Sequence, residues 1–263
     1  MRRNMGELLY AQRDGIATIT LNRPQRLNAL GRTTTVDLCA LCEQAIADPE
    51  VRVLVLTGAG EAFCAGGDYK DTFEPGFAQS AAQWRARVRR GPNRFVTLMQ
   101  GCEKPVIAAV NGIAVGGGST IAMACDIRIA SDRARFGMAF SKIGATPEFG
   151  ASYLLPRLVG LGKAIELMFT ADIIDAPEAL RIGLVNRVVP HEQLRDSVMA
   201  LARQLVQRPA GSLGVLKSML YRAQSMDLAA TLEMEALSLA AAVKTEEHQA
   251  IVRGFLAERA ART

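Results

Sequence analysis

Apolar residues along the chain fall into short β-type runs separated by amphipathic stretches. Residues 7–21 read as a β-hairpin, because apolar runs at 8–11 and 16–21 flank Arg13-Asp14-Gly15, a turn signal. Asn22-Arg23-Pro24 ends the second run. Residues 34–47 carry apolar positions at helical spacing, and an apolar run at 51–57 follows. Residues 71–80, with Pro75 and Gly76, fit neither period and read as an irregular, mobile lid. Helices are predicted at 81–90 and 95–101, a strand at 105–110, a helix at 119–125 and a strand at 126–130. Strand–helix alternation of this kind predicts an α/β fold with a mainly parallel sheet and crossover helices. After residue 149 the pattern turns mostly helical, with one short strand at 184–189. Three stretches rich in helix formers close the chain, at 211–224, 228–243 and 245–260. The last two have apolar stripes but no place in the sheet core, so they are expected to pack on the domain or on another subunit. The expected division is a core domain over 1–210 and a helical region over 211–263.

Composition narrows the function classes. The chain has 263 residues, 49% hydrophobic and 22% charged, enough to bury a full core. No apolar run approaches the roughly 18 residues that span a bilayer, and the first residues lack the apolar centre of a secretion signal. A cytoplasmic location is expected. Five cysteines, an odd number, suit a reducing compartment. Cys39 and Cys42 spell C-x-x-C without a second ligand pair and share one face of the 34–47 helix, so buried helix cysteines are expected and no metal. The net charge of +5 suits an acidic, phosphate-bearing ligand as well as nucleic acid. Arg85, Arg87, Arg89, Arg90 and Arg94 form the densest basic cluster, but sparse aromatics argue against a nucleic-acid stacking platform. The cluster reads as a solvated helix end before Gly91-Pro92, with phosphate contact as the alternative.

Two segments carry the chemistry. Phe63-Cys64-Ala65-Gly66-Gly67-Asp68-Tyr69-Lys70 and Asn111-Gly112-Ile113-Ala114-Val115-Gly116-Gly117-Gly118 each follow a β-type run, and the second opens into a helix. Glycine clusters at strand-to-helix junctions expose backbone N–H groups and admit a ligand closely. Two such junctions can aim two N–H groups at one oxygen, an oxyanion hole worth on the order of 3 kcal/mol per donor.

With Leu21-Asn22-Arg23-Pro24, Leu27-Asn28-Ala29-Leu30, Cys125-Asp126-Ile127, Phe136-Gly137 and Gly183-Leu184-Val185 in the same order, these segments resemble the crotonase (enoyl-CoA hydratase/isomerase) superfamily over nearly the whole chain. The resemblance implies a β/α spiral core, a C-terminal helical trimerisation region, trimers or hexamers, acyl-CoA thioester ligands and no metal. CoA would be part of the substrate, and no separate cofactor, nucleic acid or membrane partner is implied. Carried over by position, the N–H groups of Gly67 and Gly117 become the oxyanion donors. Asp68, Tyr69 and Lys70 would line the CoA channel, and Ala65 with Arg26 and Leu27 would bracket the adenine end. Asp68 also reads as a helix N-cap and Lys70 as a surface lysine.

One departure bears on the reaction. The two glutamates with which hydratases of this superfamily hold water fall on Thr120 and Phe140, neither of which can act as a carboxylate base. Each lost acid or base typically costs about two to four orders of magnitude. Pro147-Glu148-Phe149-Gly150 instead resembles the segment that supplies the single base of Δ3,Δ2-enoyl-CoA isomerases. The resemblance therefore implies an enoyl-CoA isomerase with Glu148 as base, and Thr120 and Phe140 lining the substrate. Weak hydration, ring-type enoyl-CoA isomerisation and non-catalytic acyl-CoA binding are the alternatives. The plainer reading of Glu148 is a helix-start glutamate favoured by the macrodipole.

Overall fold

The computed structural model describes residues 2–260, with side chains from Gly6 onward. Met1 and residues 261–263, which the expected core domain and helical region include, lie outside the described residues. Eleven strands form two sheets among the described residues. Strands β1 (Arg2–Met5), β2 (Leu8–Arg13) and β3 (Ile16–Leu21) form an antiparallel edge. The β2–β3 turn closes at Asp14 and Gly15, both with positive φ, as a two-residue hairpin requires. The chain then crosses through α1 (Thr34–Ala47) to β4 (Val53–Gly58) and the short β5 (Ala62–Cys64).

A π-type turn (Tyr69–Phe73) and α2 (Glu74–Gly76) lead into α3 (Ala81–Val88) and α4 (Arg94–Gly101). Next come β6 (Val106–Val110), β7 (Ile113–Val115), α5 (Gly117–Ala124), β8 (Ile127–Ser131) and β9 (Arg135–Gly137). Helices α6 (Ala151–Val159) and α7 (Leu161–Thr170), strand β10 (Ile173–Asp175), α8 (Ala176–Arg181) and β11 (Arg187–Val189) complete the sheets. Helices α9 (Leu194–Val206), α10 (Ala210–Ala223), α11 (Leu228–Ala242) and α12 (Glu246–Ala260) follow.

The seven-stranded sheet runs β1-β2-β3-β4-β6-β8-β11, parallel from β3 onward. Its central strands are apolar on both faces, as a covered parallel sheet requires. Successive residues divide between two cores. Leu54, Leu56, Val106, Ala108 and Val110 join the core beneath α1, whereas Val53, Val55, Ile107 and Ala109 meet Leu194, Val198 and Ala202 of α9. The four-stranded sheet runs β10-β9-β7-β5, with β5, β7 and β9 parallel.

Several expected boundaries are corrected. Strand β1 and the short strands β5, β7, β9 and β10 were not expected, because three- or four-residue strands show too little alternation to register a period. Residues 69–76 are helical rather than irregular, since Asp68 caps that turn. The stretch 81–101 continues through a π-type turn at Arg89–Asn93 instead of breaking at Pro92. The late strand shortens from 184–189 to Arg187–Val189, because Leu184 and Val185 N–H groups donate to Ala179 O at the end of α8. No helix among the described residues is long and apolar enough to cross a membrane.

Candidate active site

The two glycine segments are brought edge to edge by β5 and β7, which pair Cys64 with Ala114. On the outer side, Leu30 forms a parallel bridge with Gly67. Leu30 N–H donates to Gly66 O (2.7 Å) and Asp68 N–H donates to Leu30 O (3.0 Å). This bridge uses the groups flanking Gly67, so the N–H of Gly67 itself points to the opposite side. Gly117 is the first residue of α5, where an N–H has no intrahelical acceptor. Gly66 has a φ of 87°, and a Cβ there would lie 2.7 Å from Val115 O and 3.5 Å from Gly117 N. The two junctions therefore touch, and the close approach requires glycine.

Glu148 lies in the loop before α6. Its neighbour Phe149 has a φ of 51°, uncommon for a bulky side chain, and Gly150 follows at 73°. The ring of Phe149 is fully buried edge-on to Phe95, with centroids 6.0 Å apart. Anchoring Phe149 in the core turns Glu148 into a narrow cavity of about 50 Å3 that Leu30, Gly67, Phe73, Trp84 and Arg87 also line. Glu148 Oε1 lies 3.2 Å from the point where a Cβ on Gly117 would stand. The carboxylate thus sits over the glycine junction. Burial pushes its pKa above the usual carboxylate value, and the Arg87 guanidinium opposes that rise. Helix α6 begins only at Ala151, so Glu148 precedes the helix rather than opening it.

Arg87 reaches the cavity from α3. Its Nη2 donates to Arg32 O (3.3 Å) and Thr72 Oγ1 (3.2 Å), and its guanidinium lies 5.4 Å from the Trp84 ring centroid. Burial and then the Arg32 charge lower its pKa, while Glu148 raises it. The basic cluster was expected to be a solvated helix end, and for Arg87 that expectation fails. The available signal was the spacing of Trp84, Arg87 and Val88 at i, i+3 and i+4, which places all three on one helix face. Trp84 in turn stacks on Phe73, with centroids 6.0 Å apart. Neither aromatic was read as a site residue from the sequence.

The remaining candidates lie elsewhere. Thr120 is fully buried and its hydroxyl donates to Gly116 O (3.1 Å), while Phe140 is buried within 4.0 Å of a Cβ placed on Gly116. Neither lines the cavity that holds Glu148. Asp68 caps the following turn by accepting from Lys70 N–H (3.0 Å) and Asp71 N–H (3.1 Å). Its Oδ2 lies 3.3 Å from Arg23 Nη1 and receives no hydrogen bond. Ala65 N–H donates to Leu27 O (3.0 Å), which sets Arg26 and Leu27 beside Ala65. Leu27, Tyr69, Arg26 and Lys70 are exposed, and none of them lines the Glu148 cavity. Cys39 and Cys42 are buried free thiols, and burial raises the pKa of both.

Comparison with known proteins agrees with this architecture. Residues 11–262 match the family model described as enoyl-CoA hydratase/isomerase. A short-chain-enoyl-CoA hydratase of Clostridium acetobutylicum is 38% identical over 256 residues, 97% of this chain and 96% of the relative. A 1,2-epoxyphenylacetyl-CoA isomerase of Escherichia coli is 37% identical over 246 residues, 93% of each chain. The crystal structure of an enoyl-CoA hydratase/isomerase from Cupriavidus metallidurans superposes with a TM-score of 0.91 at 36% identity, covering 97% of this chain and 95% of that one. The matched length, the identities and the shared α/β architecture lead to one conclusion: this chain belongs to the enoyl-CoA hydratase/isomerase family.

Proposed function

We propose that the protein is an enoyl-CoA isomerase that shifts a carbon–carbon double bond through an enolate, with Glu148 as its single base. The observation that carries this reading is the position of the Glu148 carboxylate, 3.2 Å from a Cβ position on Gly117, in a cavity shared with Gly67. A thioester carbonyl accepting from the N–H groups of Gly67 and Gly117 places its α-carbon toward Glu148. The carboxylate takes a proton from that carbon as the electron pair moves onto the carbonyl oxygen. The two N–H groups stabilise the oxyanion. Glu148, now protonated, returns the proton to the γ-carbon as the enolate collapses, so the double bond moves from β,γ to α,β and the carboxylate is regenerated. A raised pKa makes the carboxylate a stronger base for this step. Arg26, Leu27, Ala65, Asp68, Tyr69 and Lys70 belong to the CoA side of Gly67 in this arrangement.

Hydration is the second reading, and the names of relatives favour it: two are a short-chain-enoyl-CoA hydratase and a crotonyl-CoA hydratase. Against it, Thr120 and Phe140 carry no carboxylate and lie outside the cavity. The test is Glu148→Gln, assayed with 3-enoyl-CoA and 2-enoyl-CoA substrates for double-bond migration and water addition separately. We expect migration to fall about 10²–10⁴-fold with thioester binding nearly intact. A wild-type enzyme that adds water faster than it moves the double bond would overturn the isomerase reading. Absence of both reactions would leave acyl-CoA binding without catalysis.

A further inference from the structure

The acyl cavity is lined by charges of both signs. Glu148 stands over the glycine junction, and Arg32 and Arg87 line the same cavity. Arg32, Val36 and Arg87 also line an outer groove of about 570 Å3 that adds Gln79, Gln83 and Arg90 and contains no carboxylate. The inner cavity, about 50 Å3, has room for a few water molecules. An acyl chain longer than a few carbons must therefore continue past Arg87 into the groove.

These arginines form no salt bridge among the described residues, although the Glu148 charge acts on Arg87. Arg23, Arg94 and Arg181 are all ion-paired, whereas Arg32, Arg87 and Arg90 form no ion pair among the described residues. Arg87 spends only Nη2, on Arg32 O and Thr72 Oγ1. Its Nε and Nη1 donors have no protein acceptor among the described residues. The guanidinium lies over the Trp84 ring, and its fork of donors suits a carboxylate or another planar anion. A hydrocarbon end would cover the remaining Arg87 donors and leave them unsatisfied, which is costly.

We propose that Arg87, backed by Arg32, forms an anion subsite where the acyl cavity meets the outer groove, and that the preferred substrate is an enoyl-CoA whose acyl chain ends in a second carboxylate. The proposal rests on the thioester orientation given above but not on Glu148 acting as base. Its test is calorimetric binding of saturated acyl-CoA pairs of four, six and eight carbons, each with a methyl or a carboxylate terminus. Saturated thioesters need no chemistry, so loss of the isomerase assignment leaves this readout intact. We expect at least one carboxylate-ended thioester to bind about 10-fold or more tighter than its methyl counterpart, with the preference shrinking as salt rises. Arg87→Met should abolish the preference, and Arg87→Lys, which keeps the charge without the fork, should restore part of it. Equal binding within every pair would overturn the proposal, as would a preference that survives Arg87→Met. Equal weakening of both members of each pair by Arg87→Met would also overturn it, because a merely structural arginine behaves that way.

Discussion

Gly117→Ala isolates the contact on which the mechanism depends. The substitution keeps the backbone N–H, and φ at Gly117 is not in the left-handed region, so the backbone accepts alanine. The new methyl would stand 3.2 Å from Glu148 Oε1, 3.2 Å from Phe149 Cε2 and 3.3 Å from Leu30 Cδ1. Ordinary contact for such a carbon begins at 3.4 Å, so the carboxylate must retreat by a few tenths of an ångström, about 0.2–0.4 Å. A misplacement of 1 Å at a reacting group costs about 10²-fold. Scaling the logarithm with distance gives a loss of about 3- to 6-fold in kcat. Stability should fall by about 0–2.6 kcal/mol, since a gain of about 0.4–1 kcal/mol from the stiffer unfolded chain offsets only part of an overpacking cost of about 1–3 kcal/mol. The assay is double-bond migration of a 3-enoyl-CoA, with thermal unfolding measured in parallel. Because the methyl acts through Glu148, Gly117→Ala combined with Glu148→Gln should be no slower than Glu148→Gln alone. Full activity in a folded Gly117→Ala protein, or additive losses in the double variant, would refute the reasoning. Gly118→Ala is the structural contrast: its Cβ would fall 2.0 Å from Cys64 O, so the backbone itself must move and folding should fail.

Other consequences can be checked directly. Burial raises the Glu148 pKa, so kcat/KM should fall as pH drops through a value above the ordinary carboxylate pKa; a profile flat to pH 4 would contradict this. Because the folded protein holds that proton more tightly than the unfolded chain, the contribution of Glu148 to stability is lost as pH rises through the raised pKa. Glu148→Gln should therefore match or exceed the wild-type melting temperature at neutral pH. Arg23 is ion-paired to Glu7, Asp68 and Asp71, and Asp68 Oδ2 has no hydrogen bond besides that charge. Arg23→Met should cost roughly 3–5 kcal/mol of unfolding free energy, read from denaturant midpoints. Helices α11 and α12 bury no residue and expose Leu228, Leu232, Leu237, Leu239, Phe255 and Leu256. We expect a trimer or a dimer of trimers in sedimentation, and a stable monomer at micromolar concentration would refute it.

Local chemistry was enough to read the hairpin at 8–21, helix α1, the apolar strands β4, β6 and β8, and the three closing helices, because each is long enough to show its period or its turn residues. The two glycine segments were equally legible, since clustered glycines have few other uses at strand-to-helix junctions. Their meeting was not. That Gly66 lies against Val115 and Gly117 follows from β5 pairing with β7, and strands of three residues leave no periodic trace. Glu148 could be named from its segment, but its direction was decided by Phe149, whose buried ring and left-handed backbone turn the carboxylate into the cavity. Arg87 was read among solvated arginines because charge alone does not reveal which face of a helix is covered. Only the packing of α3 over Thr72, Arg32 and Phe73 half-buries one guanidinium of that cluster and sets it in the same cavity as the carboxylate.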